Sequence, residues 1–140
     1  MRTNNDLGYK QMFLYGLFTE VMVIAIQFIY LSIYENNNPE AASGFSTDYI
    51  KTKGFVIFQV LGFFIYATAV FMLLKKMQGN YLRKILIFLI AGALVELSFY
   101  MLIKANYEGA FLYSILDKFV GAALAAIFYY YTPSKKLTTD

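Results

Sequence analysis

Four apolar runs separated by short polar segments fill most of the chain: 12–34, 54–74, 85–103 and 110–131. Each is close to the roughly 20 residues that a helix needs to cross the hydrocarbon of a bilayer. The pattern predicts an all-α integral membrane protein. Its single domain over residues 1–140 is an antiparallel bundle of four transmembrane helices. The first run is too long for a signal-peptide core and is read as an uncleaved helix, with Ala41-Ala42-Ser43 a weak alternative cleavage site. Asn36-Asn37-Asn38-Pro39 ends it, and Gly44 marks a further turn. Phe45, Tyr49 and Ile50 fit a short interfacial turn, or else the loop is simply solvated. The basic segment 75–84 closes the second hairpin, with Gly79-Asn80 as its turn. The connection 104–109 is short enough to make helices three and four antiparallel neighbours.

Polar residues interrupt these runs, and they change the picture. Residues 110–131 carry Asp117 and Lys118, which together cost about 5–7 kcal/mol to insert near the bilayer centre, against about 4 returned by the strong apolars. Such a helix is marginal alone and must turn its charges away from lipid. Its small residues pair as Gly121/Ala125 and Ala122/Ala126, a spacing that lets helix backbones approach closely. Helix one holds Glu20 and Gln27 on one face, helix two Gln59 and Tyr66, and helix three Glu96 with Tyr100.

At 1.5 Å of rise per residue, Glu20 falls about 12 Å and Glu96 about 16 Å from the inner edge, while Asp117 and Lys118 lie about 10–12 Å from the outer one. Lys118 is expected to reach Glu96. Asp117, some 100° round the helix, is left near Gln27, Gln59 or Tyr113. Three acids against one base make a formal imbalance that low dielectric does not tolerate. A proton, a bound cation or water must correct it.

Composition supports the class: 59% of the 140 residues are hydrophobic, 15% are charged, and mean hydropathy is +0.53. Eight cations fall on one side (Arg2, Lys10, Lys75, Lys76, Arg83, Lys84, Lys135, Lys136) and three on the other (Lys51, Lys53, Lys104). The positive-inside bias then places both termini and the middle loop in the cytoplasm of a plasma or inner membrane. Tyr129, Tyr130 and Tyr131 mark the inner aromatic belt, and Tyr30, Tyr34 and Tyr107 the outer. The +3 net charge is thereby explained by topology, and nucleic acid is not an expected partner.

Cysteine and histidine are both absent, which excludes disulfides, thiol chemistry, His or Cys metal ligation and any Ser-His-Asp arrangement. No enzyme activity, cofactor or metal is expected. Carboxylates at different depths make a poor metal cage, which also weakens the idea of a lipid-modifying enzyme built on Asp117, Glu96 and Tyr100. No family motif covers the chain. The sequence therefore supports a small proton- or cation-linked transporter or channel. Four short helices enclose little space, so it would work as a homo-oligomer in the bilayer. Glu96, Lys118, Asp117 and Glu20 would respond to the ion, supported by Gln27, Gln59, Tyr66, Tyr100 and Tyr113. The alternative is a non-transporting subunit (anchor, sensor, assembly partner or pore-forming effector) whose polar groups meet a partner's helix and whose small face on helix four is a docking seam. In that case Lys118–Glu96 is a structural pair.

Overall fold

The computed structural model describes residues 6–37, 53–102 and 108–131, with side chains described except at 35, 53–55 and 108–114. They form four helices: α1 (Tyr9–Asn37), α2 (Lys53–Leu74), α3 (Tyr81–Leu102) and α4 (Glu108–Tyr131). Among the described residues, three of these helices are long and apolar enough to cross a membrane: Tyr9–Tyr34, Val56–Leu74 and Tyr81–Leu102. The turn around Phe45, Tyr49 and Ile50, the side chain of Tyr113 and the basic tail with Lys135 and Lys136 lie outside the described residues.

Local chemistry explains the helix ends. Gly8 caps α1: its carbonyl accepts from the Met12 amide at 3.0 Å, and its own N–H donates to Gln11 Oε1 at 2.9 Å. That return bond from the third helical residue is half of a capping box. Leu7 before the cap and Met12 at the fourth helical position are both buried in the same core cluster, as a hydrophobic staple requires. α1 therefore starts three residues ahead of the apolar run. Gly79 (φ 66°) and Asn80 (φ 50°) both take left-handed backbone to reverse the chain. The Asn80 carbonyl then accepts from the Lys84 amide at 3.1 Å, so α3 starts at Tyr81 and Arg83 and Lys84 lie in its first turns rather than in a loop.

Glycines set the helix pairing. Gly16 of α1 lies against the Phe88 carbonyl and Ala91 of α3, and further along the same two helices Phe28 and Phe99 stack edge to face at 5.5 Å. Both contacts advance together, so α1 and α3 are parallel. Gly121 of α4 faces the Phe63 carbonyl and Ala67 of α2, and the Phe71 and Tyr129 rings meet at 6.4 Å. These two are also parallel. Between α1 and α2 the order reverses: Glu20 meets Tyr66, while Gln27 meets Phe58 and Gly62. Around the bundle the order is α3, α1, α2, α4. Helices α3 and α4 are antiparallel, as their short connection demands, but they are not close neighbours along their length; the tightest packing joins α1 to α3 and α2 to α4. A short loop fixes direction, whereas the small residues decide which faces can close.

The bundle is apolar outside and polar within. Phe18, Ile29, Val56, Phe64, Leu82, Ile90, Leu116 and Phe128 are exposed, whereas Glu20, Gln27, Glu96 and Lys118 are buried.

Candidate functional site

Each helix contributes one polar side chain to a single centre. Glu20 comes from α1, Tyr66 from α2, Glu96 from α3 and Lys118 from α4. Their exposures are 1%, 0%, 4% and 3%. Lys118 Nζ is ion-paired with Glu96 Oε2 and lies 3.2 Å from Glu20 Oε1. The Tyr66 hydroxyl donates to Glu20 Oε2 at 2.5 Å, and its ring lies 5.5 Å beneath the Lys118 ammonium.

The expected Lys118–Glu96 pair is present. Glu20, expected among the ion-responding residues but without a stated partner, joins that pair in the structure. α1 and α3 run parallel with Gly16 against Phe88, so Glu20 and Glu96 fall within reach of one ammonium. Gly92 makes room for the centre. A Cβ there would collide with the Tyr66 hydroxyl and approach Glu20 Oε2 to 3.4 Å. Any larger residue would push Tyr66 off its carboxylate.

Gln27 lies beside this group. Its Nε2 donates to the Phe58 carbonyl at 3.0 Å, holding the α1–α2 seam about two turns from Tyr66. Gln27, Glu96 and Tyr100 line a cavity of about 20 Å³, walled by Ile24, Phe28, Phe58 and Phe99. That is room for a single water. Two larger grooves of about 340 Å³ each, one between α2 and α4 and one between α1 and α3, are lined mostly by apolar side chains and do not touch the centre.

Asp117 and Gln59 stand away from the four-helix centre. Asp117 Oδ2 and Gln59 Oε1 are both buried with no hydrogen-bond partner. Of the partners expected for Asp117, neither Gln27 nor Gln59 donates to it, and the side chain of Tyr113 lies outside the described residues. Gly121, Ala122 and Ala125 are buried, and Ala126 packs against the core. Gly121 is spent on α2 of the same chain. The small face is thus an internal seam and leaves little of itself to dock a partner. The charges likewise are covered by their own four helices.

One feature escaped the sequence reading. Lys84, counted there only as a loop cation, is buried, and its Nζ donates to Asp6 Oδ1 and Oδ2 at 2.7 and 2.8 Å and to the Gln78 carbonyl at 3.2 Å. Asp6 Oδ1 also accepts from the Gln78 amide at 2.8 Å. Hydrogen bonding from the Lys84 ammonium, then from that amide, holds the Asp6 carboxyl below its ordinary range. The signal available was Asp6 itself, the lone acid among the first nineteen residues.

Among the described residues no group of three His, Cys, Asp or Glu side chains is arranged to hold a metal ion. In comparisons with protein-family models, curated proteins and solved structures, nothing matches the chain.

Proposed function

We propose that this chain is a four-span membrane protein with both termini in the cytoplasm, and that it works as a small proton-linked carrier. Its proton-responsive centre is Glu20–Lys118–Glu96. The apolar exterior favours a bilayer, because a protein in water rarely exposes a continuous apolar belt. The loop cations, eight against three, favour the orientation. α4 belongs among the spans because Lys118, the costliest part of its insertion, has both carboxylates waiting inside the bundle.

The observation that carries the function is charge arithmetic at one place. Two carboxylates share one ammonium in the buried interior, leaving the centre one proton short of neutrality. A buried net charge is expensive, and a single proton abolishes it. A group that gains and loses that proton changes the electrostatic balance across all four helices at once, which is what coupling a proton to helix movement requires. The closed geometry is then the occluded state. The test is flux in liposomes holding the purified protein under a pH gradient. Glu96→Gln should abolish pH-dependent flux of a small cationic or neutral solute while the protein stays folded. Flux unaltered by that substitution removes the proposal.

A second reading rests on the same enclosure. The cavity beside Glu96 has room for a single water, so the centre also suits a lock that fixes four helices in a non-transporting subunit. No flux from wild-type protein, together with a membrane protein that always co-purifies, favours that reading.

A further inference from the structure

Three buried side-chain oxygens among the described residues have no hydrogen-bond partner: the Tyr30 hydroxyl on α1, and Gln59 Oε1 on α2 and Asp117 Oδ2 on α4, which lie on neighbouring helices. The packing of these helices places the last two together. Phe63 lies against Gly121 and Phe71 against Tyr129, and α2 and α4 run parallel. Both pairs are offset by the same number of residues, and stepping back one further helical turn sets Gln59 against Asp117. The rows Gln59, Phe63, Ala67, Phe71 and Asp117, Gly121, Ala125, Tyr129 are each spaced by four, so each forms one ridge of its helix. A row of four on each side is the packing in which small residues allow backbones to close.

Two acceptors facing one another repel, and a buried acceptor left unsatisfied costs about 1–3 kcal/mol. Lys118 acts on Asp117 through its charge alone: its ammonium is hydrogen-bonded within the centre between Glu20 and Glu96, and Asp117 Oδ2 receives no hydrogen bond. One hydrogen satisfies the pair, supplied either by the Gln59 amide turned over to donate through Nε2 or by a proton on Asp117, and the two differ in the charge they leave on the seam. We propose that Asp117 and Gln59 form a second proton-binding site on the α2–α4 seam. Asp117 is there a neutral carboxylic acid whose O–H donates to Gln59 Oε1. The proton comes from solvent, and no other bond is made or broken. A metal cation is a poorer occupant, since two oxygens flanked by helices whose own carbonyls are engaged supply too few ligands. The charged groups that act on Asp117 are Lys118 on the same helix and Glu96 on α3, and both belong to the centre already described. The site stands whether or not the chain moves a solute.

Infrared spectroscopy of the purified protein at neutral pH tests it through the C=O stretch of a protonated carboxyl. One such band should vanish in Asp117→Asn and persist in Glu20→Gln and Glu96→Gln. A band with the opposite pattern reports the proton of the four-helix centre, so the two readings fail separately. Gln59→Leu should keep the Asp117 band but move it to higher frequency, because the O–H has lost its acceptor; this variant decides the matter if Asp117→Asn does not fold. No acid band assignable to Asp117, or an Asp117 carboxylate band that responds to added sodium, overturns the proposal.

Discussion

Lys118 is the side chain the bundle can least spare. With it the centre holds two carboxylates and one ammonium; without it, Glu20 and Glu96 face each other with only the Tyr66 hydroxyl between them. Removing one partner of a buried ion pair costs about 3–5 kcal/mol, because the charge left behind has no compensation. Lys118→Met should therefore lower unfolding stability in detergent by about that amount. Glu96→Gln or Glu20→Gln leaves a neutral acceptor and a balanced pair, so its cost should be only about 1–2 kcal/mol. Denaturation of the three variants under one set of conditions checks this; a Lys118→Met protein as stable as Glu96→Gln would contradict the shared-ammonium geometry. Part of this centre was legible in the sequence. Depth along a helix follows from counting, and it brought Lys118 to Glu96. Glu20 was legible as a site residue but its contact with Lys118 was not, because depth says nothing about lateral position, and the close approach that brings it in depends on Gly16 and Gly92, which carry no polar signal at all.

Helices were easier to read than their arrangement. Apolar runs long enough to span hydrocarbon announce themselves, and the observed helices overrun those runs at Gly8 and at Gly79-Asn80, where a cap or a reversed turn extends them, and by two or three residues at Asn37 and Glu108. Pairing was not legible, since loop length constrains direction while contact is chosen by glycine. Gly16 shows how tightly: a Cβ there would meet the backbone carbonyl of Phe88, which cannot rotate away as a side chain can. Gly16→Ala should force α1 from α3 and cost about 1–3 kcal/mol. Gly8→Ala is the control, because the nearest atom to a Cβ there is the flexible Gln11 Oε1 at 3.9 Å. Hydrogen exchange along α1 and α3 should rise in the first variant; in the second any rise should be confined to the first turn of α1, where Ala is the poorer cap, and α3 should be unchanged.

The α1 cap is held in turn by Asp6, whose carboxylate ties Lys84 and the 78–84 segment to the N-terminal end of the bundle. Its folded value lies below its unfolded one. The contribution is therefore fully present above the ordinary Asp range, near 4, and is lost as pH falls through the lower folded value. Asp6→Asn should raise exchange at 7–12 and 77–84 at neutral pH. Acidification should erase the difference between variant and wild type; a difference that persists in acid would mean the ion pair is not what holds the segment.

At the scale of the whole molecule, the bundle inverts the usual order of a protein in water, and the proposed bilayer explains why it is stable inside out. The charge centre draws one group from each helix, so no subset of helices can satisfy it. α4 makes the dependence plain. Alone it carries an unpaired Lys118 at a cost its apolar residues barely offset; in the bundle the two carboxylates of α1 and α3 receive that ammonium. In the proposed bilayer, insertion and folding would thereby be linked, and the orientation favoured by the loop cations would be locked once α4 had docked. The chain contains no cysteine, which makes the orientation directly measurable. A cysteine at Ser43→Cys, in the first connection, should react with a membrane-impermeant maleimide added to intact cells. One at Thr139→Cys should react only after the membrane is opened. Repeating both in the Lys118→Met background separates topology from packing. If α4 depends on its partners to cross, Thr139→Cys becomes partly reactive from outside while Ser43→Cys is unchanged. Labelling of Thr139→Cys from outside in the otherwise native chain would place the C-terminus on the wrong face and overturn the four-span arrangement.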